Sequence, residues 1–170
     1  MTVAVETGLW QLDTGASTVA LRHKAMWVLV AEGVFATVRG GGEVAADGTV
    51  TGTLVLDTAS LDTRNGMRDK HLRGADFLDV EKYPEITFAV RAADLGADGD
   101  VKVSGELTVR GISRPQTFTA RLSQADADAV TLDATFTVDR NEFGITLNRL
   151  GMMGGPTTIT TTLRFTRTAA

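Results

Sequence analysis

Two histidines and one charge-dense segment are the residues of this chain best equipped for chemistry. His71 stands in Arg68-Asp69-Lys70-His71, and His23 ends an apolar row formed with Val19 and Leu21. An imidazole beside carboxylates suits proton transfer or metal ligation near neutral pH. The spacing argues against both uses. There is no HExxH, no histidine pair at helical ligand spacing and no GxSxG elbow, and two lone imidazoles in a chain without cysteine make a poor transition-metal set. No catalytic residue, metal or cofactor is assigned.

The cluster Arg68, Asp69, His71, Arg73 and Asp76 reads instead as a polar network that pins a connecting segment, with Asp and Arg paired bidentately. A polar mouth that meets a ligand's head group is the alternative. Arg140 follows Ala134, Phe136 and Val138 in phase and should point inward, where it needs Asp69, Asp76, Asp139 or a ligand's polar end. Gly66, Gly74, Gly111 and Gly144 stand outside any phosphate-loop spacing and read as turn glycines. Met152 and Met153 read as a core-edge contact or as lipid-portal residues.

The elements that must position these groups are strands. Apolar and polar residues alternate in Thr18–His23, Val50–Asp57, Ile86–Ala92, Val101–Arg110, Thr117–Leu122, Val130–Val138 and Thr158–Phe165, the period-2 pattern of half-buried strands. Inward positions include Ile86, Phe88, Val90 and Ala92 in one row and Val101, Val103, Gly105, Leu107 and Val109 in the next. Gly40-Gly41-Gly42, Asp47-Gly48, Asp98-Gly99 and Gly154-Gly155-Pro156 read as chain reversals. Residues 63–83 break the rhythm and predict a short helical insertion around 63–80, stopped by Pro84. The fold class is all-β and antiparallel; alternation alone leaves barrel and sandwich open.

At 170 residues the chain fits one domain. A net charge of −4 and a pI near 5.1 argue against nucleic acid, which demands clustered cations. The first residues lack a basic and an apolar leader region, and no apolar run approaches the roughly 20 residues of a membrane span, so the expected compartment is cytoplasmic.

Several ordered blocks then stand out: Ser60 to Thr63, Arg68, Asp69, His71, Leu72, Arg73, Asp76, Phe77 and Asp79, Lys82-Tyr83-Pro84, Gly105 to Pro115, and Asp139 to Ile145. Together, and from Trp10 to about Arg167, they resemble the YceI family of lipocalin-like, polyisoprenoid-binding proteins. The resemblance implies an eight-stranded antiparallel barrel holding a long isoprenoid chain, and His23 falls where that family commonly has a histidine. Expected ligand-contacting residues are the inward rows, Leu21, Leu54, Leu56, Phe88, Leu107, Phe118, Leu132, Phe136 and Leu163, with His23 and Arg140 at their polar ends. The expected function is binding, sequestration or transport of a polyisoprenoid, isoprenoid quinone or other long-chain apolar lipid, without catalysis. Two other readings are a filled-core barrel acting through its surface, in a stress complex or as a homodimer, and an enzyme on an isoprenoid substrate using His23 or His71.

Overall fold

A computed structural model describes residues 6–25, 29–75, 77–96, 98–145 and 156–168. Strand segments follow one another as β1 (Gly8–Leu12), β2 (Thr18–Ala25), β3 (Leu29–Phe35), β4 (Val38–Val44), β5 (Val50–Asp57) and β6 (Leu61–Asp62). After one helix, α1 (Gly66–Arg73), come β7 (Glu85–Leu95), β8 (Asp100–Val109), β9 (Ile112–Ala125), β10 (Ala129–Val138) and β11 (Thr157–Arg167). These segments make eight long strands, because β1 with β2, β3 with β4 and β5 with β6 each run as one interrupted strand. β1 and β2 pair in turn with the same edge of β11, and β3 and β4 pair with β2 and β1. Each strand pairs antiparallel with the next, and the ring closes where Trp10, Gln11 and Leu12 face Arg167, Thr166 and Phe165. Closure removes the edge strands that an open sheet of this composition would expose.

The alternating rows form the expected strands, with local exceptions. Gly40-Gly41-Gly42 is not a reversal: it lies inside β4, and none of the three glycines has positive φ. An added Cβ at Gly42 would lie 2.5 Å from the Thr51 carbonyl oxygen, so here glycine serves close strand approach, a role that sequence does not distinguish from a turn. A β-bulge after Val90 shifts the phase of β7, so Ala93 and Leu95, and not Ala92, join the apolar interior. Arg110 and Gly111, both at positive φ, form the two-residue turn between β8 and β9. Gly144 likewise closes a turn with φ 76°, whereas Gly66 opens α1 and Gly74 caps its end at φ −76°.

The helical insertion lies where expected. Asn65 caps α1 by accepting from the Arg68 N–H at 3.1 Å, and the whole excursion is tied at its base, where Thr58 donates its N–H to the Pro84 carbonyl and its hydroxyl to that of Tyr83. Among the described residues no helix is long and apolar enough to cross a membrane.

Candidate functional site

The inward rows do not meet in the middle. They surround a cavity of about 1160 Å³ that follows the barrel from the α1 end, where Leu72, Phe77 and Arg140 border it, to the opposite end, where Trp10, Leu95 and Val130 do. Leu21, Leu54, Leu56 and Phe88 from the first strands, and Leu107, Phe118, Leu132, Phe136 and Leu163 from the later ones, all stand on its wall, as do His23 and Arg140.

Small residues keep the lumen open. Ala93, Ala120 and Ala134 contribute little volume, and Gly105 of β8 contributes none. The Phe88 ring occupies the place of the missing side chain: an added Cβ at Gly105 would lie 2.7 Å from Phe88 Cζ and 2.3 Å from the Ala89 carbonyl oxygen. Phe88 therefore crosses β8 and reaches Phe118 of β9 at 5.6 Å between centroids, and Phe118 stacks on Phe136 of β10 at 4.5 Å. The three rings give a continuous aromatic stripe along one side of the cavity. Such rings offer broad apolar contact with little rotamer freedom to lose.

Polar groups gather at the α1 end. His23 and Thr157, paired across β2 and β11, hydrogen-bond at 3.0 Å between Nδ1 and Oγ1. Arg140 is buried at the start of the turn Arg140–Phe143; burial lowers the guanidinium's basicity, and the neighbouring Asp139 opposes that effect. Thr63 also borders the cavity and organises the helix against it. Its N–H donates to Asp69 Oδ1 at 3.0 Å and its hydroxyl donates to the same oxygen, while Arg68 donates to the Thr63 hydroxyl at 2.9 Å and carbonyl at 2.8 Å. Burial pushes the Asp69 carboxyl up, but the two Thr63 hydrogen bonds, aided by Arg73 and Arg68, outweigh it and hold the group below its ordinary value.

This network corrects the sequence reading in two respects. Asp69 is gripped by a threonine rather than by a bidentate arginine, and Arg73 donates to the Leu61 carbonyl at 3.0 Å. His71 is exposed on the cavity rim with its ring edge-on to Phe77 at 5.0 Å, a packing contact and not a link in the pinning chain. Asp76, Met152, Met153 and the Gly154-Gly155 signal lie outside the described residues. Among the described residues no group of three His, Cys, Asp or Glu side chains is placed to hold a metal ion.

A YceI-like domain model matches residues 10–165. The chain belongs to the YceI family. Similar sequences include a UPF0312 protein of Pseudomonas putida (strain GB-1), 40% identical over 95 residues that cover 53% of this chain and 50% of the relative. Protein YceI of Escherichia coli O17:K52:H18 is 42% identical over 69 residues, 41% of this chain and 36% of that one. The chain thus spans about half the length, or less, of the curated relatives it matches. Among solved structures, BcnA of Burkholderia cenocepacia superposes with a TM-score of 0.81 at 22% identity, covering 90% of this chain and 98% of BcnA. A polyisoprenoid binding domain from Saccharophagus degradans, implicated in plant cell wall breakdown, gives 0.77 at 17% identity over 96% and 100%. At these identities the two structures share the YceI barrel fold with this chain.

Sequence reasoning missed Trp10, Phe35 and Phe143, which also border the cavity. Trp10 donates its indole N–H to the Glu6 carbonyl at 3.0 Å and stands opposite Gly42. Once the glycine triplet is read as a turn, the strand that receives this tryptophan disappears from the pattern. Phe143 lies in a turn between strands, where alternation carries no information; the following Gly144 was the available signal of a tight, buried reversal.

Proposed function

We propose that this chain binds and carries a long apolar isoprenoid-type lipid, a polyisoprenoid or an isoprenoid quinone, threaded along the barrel, with no catalytic step. The observation that carries this reading is the apolar-walled cavity of about 1160 Å³. At the roughly 30 Å³ that a water-sized group takes in a liquid, it has room for on the order of 40 such groups. Each methylene removed from water contributes about 0.8 kcal/mol, so a long chain needs few polar contacts to be held. The aromatic stripe of Phe88, Phe118 and Phe136 and the aliphatic residues around it would contact the chain. His23 and Arg140 lie at the end suited to a polar head. The solved domain from Saccharophagus degradans, which shares the fold, is named for polyisoprenoid binding and supports the same ligand class.

The cavity weighs against the filled-core reading, which needs side chains to occupy this volume. Organic extraction of the purified protein followed by mass spectrometry tests the proposal. The expected result is a stoichiometric apolar lipid with a prenyl fragmentation pattern. An extract free of lipid, from protein that also takes up no added polyisoprenol, would overturn it.

A further inference from the structure

We propose that the α1 end of the barrel docks on an anionic lipid bilayer and that the apolar cargo enters there; the entry step rests on the carrier reading above. Met67, on α1, is 87% exposed and at the same time borders the cavity, so the cavity reaches the surface beside an apolar side chain standing in solvent. Cations surround it. Arg64 and Lys70 are exposed and Arg68 and Arg73 half-buried; of the two acids among residues 62–73, Asp69 is buried against Thr63 and Asp62 is exposed and accepts from the Arg64 N–H, so the cations outnumber the acids.

The opposite end has the reverse character. Its turns and strand ends present Glu43, Asp47, Asp94, Asp98, Asp126 and Asp128, all exposed. The far end also carries Lys102, Arg121 and Arg167, and the α1 end Glu81, Glu85 and Glu142, but the cations that flank Met67 make the α1 face the one a negative surface attracts most. An anionic leaflet attracts Lys and Arg within about a Debye length, and an apolar side chain among them can enter the headgroup layer. The bilayer also accounts for Met67, because it supplies both an apolar layer for the side chain and the apolar cargo behind it. An acidic protein surface would supply only the charge.

Flotation with vesicles tests the surface directly. Wild-type protein should float with equimolar phosphatidylcholine and phosphatidylglycerol, stay behind with phosphatidylcholine alone, and be released by about 1 M salt. Arg64→Glu with Lys70→Glu should weaken partitioning at least about tenfold. Arg91→Glu with Arg121→Glu makes the same change of net charge at exposed wall positions and should leave partitioning near wild type. The Arg64/Lys70 variant, whose residues do not border the cavity, should fill normally from detergent-dispersed polyisoprenol but slowly from doped anionic vesicles. Wild-type protein that does not float, or a wall variant as impaired as the mouth variant, overturns the docking surface. Failure to float combined with salt-sensitive binding to polyglutamate would assign the surface to an acidic protein partner and also overturn it. Flotation without uptake of polyisoprenol from either source would remove the carrier reading and the entry route while leaving the docking surface standing.

Discussion

Phe136 and Phe143 are close in sequence and belong to two different kinds of interior. Phe143, 2% exposed, borders the cavity only at its α1 end and is otherwise packed in a cluster with Phe77, Leu61 and Ile145. Phe136 is half-buried although it points into the barrel, because one face of its ring packs on Phe118 and the rest looks into the cavity. At the α1 end the apolar side chains pack closely on one another around the mouth of the cavity. The aromatic stripe is a wall, and its apolar side chains lack partner atoms on the lumen side. A cap that must hold its shape and a wall that must leave room differ in what each large side chain contributes to stability.

The largest test of this contrast is the same truncation at both sites. Phe143→Ala should cost about 3–5 kcal/mol in denaturant unfolding, the range for a buried phenylalanine packed on most sides. Phe136→Ala should cost less than about 2 kcal/mol in lipid-free protein, since it widens an existing space rather than creating a new one. Equal losses at the two positions would erase the distinction. Leu107→Ala, also on the wall, should fall near the low end of the roughly 2–5 kcal/mol range for buried leucine.

Acid should loosen the cap before the wall. Asp69 has a folded-state pKa below its unfolded value of about 3.9, so its stabilising contribution is complete above that value and is lost as pH falls through the lower, folded value. Protection factors for hydrogen exchange in residues 63–73, corrected for the intrinsic rate at each pH, should therefore fall below about pH 4 while those of β8 to β10 hold. Asp69→Asn should abolish that acid dependence and cost about 1–3 kcal/mol at neutral pH, because the Thr63 N–H and hydroxyl lose a charged acceptor. The smallest effect belongs to His71→Ala, which removes one edge-on ring contact and should lower stability by no more than about 1.5 kcal/mol. A loss as large as that of Asp69→Asn would restore His71 to the pinning network.

The contrast also explains what could be read beforehand. The wall was legible: Leu54, Leu107, Phe118, Leu132 and Leu163 obey a period of two, and that rule alone places them on one face. Its exception, Ala92, fell to a bulge, which is a pairing irregularity without a residue signature in this chain. The cap was legible only as a charged insertion with a helix in it. Which atom grips Asp69 depends on how the segment folds back at Thr63, and the positive φ of Arg64 that follows this threonine has no marker in sequence. The size of the cavity was equally hidden, since alternation gives the direction of a side chain and not the distance to the wall opposite.

The central claim is that the barrel encloses room for a lipid chain, and Leu107→Trp tests it most directly. Added volume at this wall position should occupy lumen rather than strain packed neighbours, so the variant should fold with a wild-type circular dichroism spectrum and carry sharply less extractable lipid than the wild-type protein. An unfolded variant would contradict the account by showing that the interior has no space for the indole, and a folded variant with undiminished lipid would contradict it by placing the ligand elsewhere.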